Sequence, residues 1–393
     1  MRIVFWTSLA IVLYTYIGYP IMIWLLSRLH PRSWMRAPIN PTVSVIMAVR
    51  NGAAYLPTKI QTLFSITDPS IKEIIVVSDG STDGTLDRLA SCTEPRLKCL
   101  NLEEHCGKAV ALNAGMALAS SDLLVFLDIR PQIRPESLRQ LVNNFADPAV
   151  GCAAGELDLL QNGHDLTTRV VSSTYWRYEQ WIRRSEAAWD SPVGVYGGFY
   201  AVRRDLATSF PAGTILDDMF QPLAIIRQGY RSVLDPNARV YDTWPKRIDS
   251  EFHRKVRTLA GNFQLFEIAP WVLTTQNRVM VQLISHKALR LIVPYLLVLL
   301  LGSSLFLSSG SAFYAVFAAI QITLWTIASL SMRYSIPFLS RLGGPASALL
   351  ILNGAAVVAL HRFVFAHRQL WKIWTAPPTP GELDPAESEA TTG

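Results

Sequence analysis

Carboxylates stand at three turns of this chain, each just past an apolar run. Asp79 lies in "IIVVSDGSTDGT" (Ile74 to Thr85), Asp128 in "VFLDIRPQI", and Asp217 and Asp218 sit side by side in "TILDDMFQPLAIIRQGY". A lone carboxylate such as Asp79 accepts hydrogen bonds from ring N–H groups or hydroxyls, and Gly80 beside it lets backbone approach a ligand closely. Asp128 offers one hard oxygen ligand, and a divalent cation often takes only one or two carboxylates from the protein. Two adjacent carboxylates repel each other. That raises one pKa and suits the pair to accept a proton near neutral pH. Lys108, in "HCGKAVALNAG", opens a helical pattern, where a cation is disfavoured unless an anion lies near. Ser81 and Asp83 fit caps for a helix beginning near Thr85.

The elements that must hold these residues alternate. "VSVIMAV", "IKEIIVVSD", "RLKCLNL" and "DLLVFLD" are short apolar runs, and helical spacing follows each of the first three. Near-continuous hydrophobic strands alternating with helices predict an α/β fold, with parallel strands covered on both faces. Ligands of such sheets bind beyond the carboxyl ends of the strands. Asn51, Asp79 and Asp128 each follow a strand's last apolar residues, so they are expected on one rim. No G-x-G-x-x-G follows the first strand and no G-x-x-x-x-G-K-[ST] occurs, which argues against dinucleotide oxidoreductases and P-loop NTPases.

Half of the 393 residues are apolar, and they are unevenly spread. "IVFWTSLAIVLYTYIGYPIMIWLLS" is uncharged over a length that spans a bilayer, and Arg28, Arg32 and Arg36 follow it. A retained span fits this run better than a cleaved signal peptide. "LIVPYLLVLLLGSSLFL" and "AFYAVFAAIQITLWTIASL" predict a helical hairpin, with His286, Lys287 and Arg290 at the head-group level before it. A last apolar run, "PASALLILNGAAVVAL", precedes Arg362, Arg368 and Lys372. A full crossing would put those cations outside, so this run is re-entrant, or "YSIPFLSRL" joins it, or the positive-inside rule fails here. The expected organisation is an N-terminal transmembrane helix (1–28), a cytoplasmic domain (41–267), C-terminal membrane helices (286–375) and a disordered Pro-rich acidic tail (376–393). The net charge of +6 suits anionic lipid head groups and not nucleic acid. The four cysteines lack CxxC spacing and read as reduced thiols.

"VSVIMAVRNGAAYL", "VVSDGSTDGT", "GKAVALNAGMALASSDLLVFLD" and "ILDDMFQPLAIIRQGY", in this order and spacing, resemble a family 2 glycosyltransferase of the GT-A fold. The nearest likeness is the membrane-bound branch that includes poly-N-acetylglucosamine, cellulose and hyaluronan synthases. The resemblance implies that Asp79, with Val49, Arg50 and Asn51, holds the base and ribose of a nucleotide-sugar donor. It implies that Lys108 faces the donor diphosphate and that Asp128 ligates Mg²⁺ or Mn²⁺. The family's Asp-x-Asp is here Asp128-Ile129-Arg130; Arg130 cannot ligate a metal but fits a phosphate bidentately. Asp218 falls at the position of the catalytic base and Asp217 at that of the preceding Glu. Gly197 and Gly198 fall beside the acceptor. Arg254 and Arg257 match the arginine pattern of the Gln-x-x-Arg-Trp segment, where they would neutralise the leaving diphosphate. Thr258 replaces the Trp of chain-extending synthases, which tilts the expectation toward limited extension.

The resulting expectation is an inverting glycosyltransferase of the inner (plasma) membrane, multi-pass, with a cytoplasmic catalytic domain. It would pass sugar from a nucleotide-linked donor, UDP-linked by likeness, to a membrane-associated saccharide or polyprenyl-linked acceptor in cell-surface polysaccharide or glycolipid synthesis. The alternatives are a processive polysaccharide synthase and a non-catalytic membrane scaffold that keeps the fold.

Overall fold

The computed structural model describes residues 1–160, 166–243, 248–333 and 337–365. The expected tail, 376–393, and the end of the last membrane segment lie outside the described residues.

Among the described residues, eight strands form one sheet: β1 (Val43–Val49), β2 (Ile71–Asp79), β3 (Leu97–Leu102), β4 (Leu123–Leu127), β5 (Gln132–Ile133), β6 (Val150–Leu160), β7 (Phe199–Arg203) and β8 (Arg231–Thr243). Their order is β3-β2-β1-β4-β7-β6-β8-β5. The first four named strands of that order run parallel. All seven residues of β1 are buried, as its nearly unbroken apolar sequence requires of a strand covered on both faces. Ile46, Ile75, Val77 and Phe126 face one layer, where Ala111, Leu112, Leu223 and Ile225 pack on them. Val45, Met47, Val76 and Val125 face the other, against Leu56, Leu63, Leu138 and Leu141. Each buried Leu, Ile or Val contributes ~1.5–3 kcal/mol relative to exposure.

The second half of the sheet departs from simple alternation. β7 runs antiparallel to both β4 and β6. Leu127 pairs with Phe199, so the chain just before β7 lies against the carboxyl end of β4. This pairing brings residues 194–198 beside Asp128, and the alternating pattern of the first strands did not predict it.

Among the described residues, four helices are long and apolar enough to cross a membrane: Arg2–Leu29, Met280–Leu307, Ala312–Ser331 and Ala346–Phe365. The last belongs to a longer helix, Pro337–Phe365, which takes in "PFLSRL". Its Leu352, Ala355, Ala356 and Ala359 pack on Val256, Leu259 and Ala260 of the helix Ile248–Ile268. That segment therefore carries one face bound to the sheet domain. The membrane helices and the domain share a core.

Candidate active site

A cavity of about 360 Å³ opens at the carboxyl end of β4. Lys108, Asp128, Arg130, Gly197, Gly198, Asp217, Asp218, Arg254 and Arg257 all line it. Nine of the thirteen residues singled out from the sequence thus meet in one place.

The acid pair sits at the start of the helix Asp217–Arg227, whose first-turn N–H groups favour negative charge. Burial, and then Asp217, push the Asp218 carboxyl up to about 6. Asp217 is raised too, chiefly by burial, with Lys108 opposing. Lys108 begins the helix Lys108–Leu118, after Gly107 at φ 94°. Its Nζ lies 3.2 Å from Asp128 Oδ1 and 3.1 Å from Asp217 Oδ2. Burial alone would depress this ammonium, but Asp128, Asp217 and Asp218 outweigh it and hold it above its ordinary value. The lysine expected to face a diphosphate lines the cavity and joins two elements of the acid cluster.

Residues 194–198 fasten the cluster from the other side. Asp128 N–H donates to the Gly198 carbonyl at 3.1 Å, and Val195 N–H donates to the Asp218 carbonyl at 2.9 Å. A Cβ on Gly197 would stand 2.8 Å from Asp218 Cβ. These glycines hold Asp128 and Asp218 to one wall, whatever they do for an acceptor.

Two of the expected donor-binding residues have partners within the protein. Asp79 is fully buried and does not line the cavity. Its carboxylate accepts from Cys106 N–H at 2.7 Å and Gly107 N–H at 3.0 Å, and bonds His105 Nδ1 at 2.7 Å. It anchors the loop that presents Lys108, because that loop's orphan N–H groups are aimed at the strand end. Arg130 gives its fork to Asp242 on β8, with Nε at 2.9 Å and Nη2 at 2.6 Å from Oδ2. The guanidinium also lines the cavity.

Val49, Arg50 and Asn51 stay outside the cavity lining, on the rim formed by β1 and β2. Asn51 has φ 51°, and its side-chain oxygen accepts from Thr82 N–H at 2.8 Å. Gly52 N–H donates to Thr85 Oγ1 at 2.9 Å, which ties the two rim loops together. Arg50 Nε has no hydrogen-bond partner among the described residues. Asp83 accepts from Thr85 N–H at 3.0 Å, but the N-cap position of the helix Thr85–Ala90 is Gly84, so the expected side-chain cap is absent there.

Among the described residues no cluster of three or more His, Cys, Asp or Glu side chains is arranged to hold a metal. Asp128 is the fitting donor, with its side chain 43 % exposed. That suits a hard cation bound by one carboxylate, phosphates and water, and does not suit a preformed all-protein cage.

The sequence reading missed the polar side of the cavity. Tyr175, Glu179, Lys287 and Arg290 line it. His286 and Arg290, expected at head-group level, are buried against acids of the helix Leu166–Trp189: His286 lies 2.8 Å from Glu186 and 3.1 Å from Glu179, and Arg290 pairs with Glu179. The available signal was two glutamates in an aromatic helix, opposite "SHKALR" at the start of an apolar one.

This sheet, with a cleft at its strand ends and an acid pair beside it, has the architecture of a GT-A fold. The family model "Glycosyl transferase family 2" matches residues 44–209. The poly-beta-1,6-N-acetyl-D-glucosamine synthase of Staphylococcus aureus is 24 % identical over 199 residues, 49 % of this chain and 48 % of the relative. The chain thus spans about half the length of the curated relatives of that name. An uncharacterized glycosyltransferase of Nostoc sp. is 32 % identical over 134 residues, 33 % of this chain and 41 % of the other. Among solved structures, a mannosyltransferase from Pyrobaculum calidifontis in complex with GDP-Man and Mn²⁺ has a TM-score of 0.65. It is 22 % identical and covers 91 % of this chain and 99 % of that one, a likeness of fold.

Proposed function

We propose that this protein is an inverting glycosyltransferase which moves a sugar from a nucleotide-linked donor to the hydroxyl of an acceptor held at the membrane. The observation that carries the reading is Asp218: a carboxyl raised to about 6, in a cavity shared with Asp128 and Lys108. A base so poised is largely ionised at neutral pH and still takes a proton readily.

The acceptor hydroxyl gives its proton to Asp218 as its oxygen attacks the anomeric carbon from the face opposite the leaving nucleotide. Asp217 keeps Asp218 basic by repulsion and holds Lys108 in place. Arg254 and Arg257 offset the charge growing on the leaving diphosphate. Asp128 would hold a divalent cation, which supplies Lewis-acid stabilisation of that diphosphate when bound. The donor's nucleoside is assigned to the rim at Arg50 and Asn51, with its diphosphate toward Asp128. The relatives support a sugar nucleotide in general: one is a synthase of an N-acetylglucosamine polymer, and the fold relative was solved with GDP-Man and Mn²⁺. Uridine remains the proposed base. The sheet domain is proposed to face the cytoplasm, because Arg28, Arg32 and Arg36 follow the first span.

The test is a panel of labelled UDP- and GDP-sugars given to membranes containing the protein, with Mg²⁺, Mn²⁺ or EDTA. Label entering a lipid-extractable or polymeric product from one donor supports the reading. No transfer and no donor hydrolysis from any donor would leave only the scaffold alternative.

A further inference from the structure

Asp128, the residue assigned to the divalent cation, is already paired with a cation of the protein's own. Lys108 Nζ lies 3.2 Å from its Oδ1 and 3.1 Å from Asp217 Oδ2. Asp218 faces the same ammonium, so one lysine is shared by the end of β4 and the start of the helix Asp217–Arg227. The other cations at this end have different partners. Arg257 faces Asp217 and Asp218, and Arg183 faces Asp218. Lys59 faces Asp128, but it is buried and donates from Nζ to the Pro131 carbonyl.

The backbone beneath Lys108 is held, while its side chain has room to swing. Asp79 accepts from Cys106 N–H at 2.7 Å and Gly107 N–H at 3.0 Å, which pins the turn before the helix. The lysine side chain is 20 % exposed, lines the cavity of about 360 Å³ and sits on a flexible four-carbon stem. A divalent cation held by a carboxylate stands about 2.0–2.6 Å from its oxygen. An ammonium 3.2 Å from Oδ1 of that carboxylate is then a like charge a few ångströms away, weakly screened where water is scarce. Asp128 therefore takes a cation best once Lys108 has another acceptor. A diphosphate is such an acceptor, because its oxygens take charge-assisted hydrogen bonds from a lysine. Moving the ammonium from carboxylate to phosphate keeps it paired and frees Asp128.

We propose that Lys108 makes cation binding conditional on the donor: it pairs with Asp128 until a diphosphate arrives, then turns to the diphosphate and leaves Asp128 to the divalent cation. Asp217 sets how firmly Asp128 is held, because both carboxylates draw on the same ammonium. The proposal rests on the reading that the cavity takes a nucleotide diphosphate beside Asp128, and it adds the order in which that site fills.

The experiment uses the full chain in detergent and follows binding, not turnover. Mn²⁺ affinity is read without nucleotide, from the paramagnetic resonance signal of free Mn²⁺; UDP and GDP affinities are then read by calorimetry in excess Mn²⁺. Lys108→Met is expected to bind Mn²⁺ at least about tenfold more tightly than wild type, since a like charge beside Asp128 is gone. The same variant is expected to bind the nucleoside diphosphate at least about tenfold more weakly, since a charge-assisted contact is gone. Opposite signs in the two measurements are the signature of the exchange. Mn²⁺ binding by Lys108→Met no tighter than wild type, or nucleotide binding no weaker, would overturn the proposal. Asp217→Asn keeps the lysine and leaves it to Asp128, so nucleotide-free Mn²⁺ binding should weaken; this arm decides the matter if Lys108→Met folds poorly, and unchanged or tighter binding there overturns the proposal too. A wild type that binds neither nucleotide would overturn the donor reading and this proposal with it, whereas loss of the Mn²⁺ differences with nucleotide binding intact overturns the proposal alone.

Discussion

Gly197 and Asp218 are in contact across 20 residues of intervening chain, and no side chain fits between them: a Cβ at position 197 would lie 2.8 Å from Asp218 Cβ and 3.0 Å from Oδ2. Gly197→Ala is therefore expected to displace the carboxylate from its position on the cavity wall. A misplacement of this kind costs on the order of 10²-fold in rate. Initial rates at saturating donor should fall by about that factor, while donor KM changes little.

The pH dependence follows from the Asp218 carboxyl. It is raised to about 6 by burial and by Asp217, and a base works only when ionised. Transfer should rise as pH increases through about 6 and then level off. The stability effect has the opposite sense. A carboxyl raised in the folded state stabilises that state fully below its unfolded value of 3.8, and the contribution disappears as pH rises through about 6. Asp218→Asn should thus unfold at a higher temperature than wild type above pH 7, by a free energy on the order of 3 kcal/mol at most. Thermal melts of both proteins on either side of that window measure it.

Asp79→Ala separates a structural carboxylate from a ligand-binding one. Removing it leaves the Cys106 and Gly107 N–H groups without their acceptor. The expected loss is about 1–3 kcal/mol of stability, read from the denaturant midpoint. Donor KM should rise only as far as Lys108 is disturbed.

Arg130→Ala is expected to destabilise the fold by about 1 kcal/mol, because it leaves the buried Asp242 carboxylate without this partner while Arg130 itself is 45 % exposed and water-screened. Donor KM should stay within about twofold. A KM rise of tenfold or more with unchanged stability would mean that the guanidinium leaves Asp242 for the donor phosphate.

What the sequence made legible follows from what each pattern specifies. β4 is an unbroken apolar run, and β1 and the "IIVV" of β2 are nearly so, because a strand covered on both faces has no polar side to interrupt it. The cluster of Asp128, Lys108 and Asp217-Asp218 was legible because each stands at the end of such a run or at a helix start. The antiparallel β7, only five residues long, carries no period that distinguishes it from a loop, so the closeness of Gly197 and Gly198 to the acids came from the fold. The hydrogen bonds of Asp79 to Cys106 and Gly107 N–H were not legible, because a carboxylate aimed at backbone N–H groups and one aimed at a ligand have the same local sequence. The ion pairs of Glu179 and Glu186 with His286 and Arg290 span about a hundred residues, and nothing local in either segment encodes them.

The most direct test of the account is the rate of sugar transfer by Asp218→Asn beside wild type, with the donor that the panel identifies and at a pH well above 6. The account predicts a loss of about 10²–10⁴-fold in kcat with donor binding retained, the range that removal of a general base produces. Transfer by Asp218→Asn within a few-fold of wild type would contradict it, since the proton of the acceptor hydroxyl would then be leaving by another route.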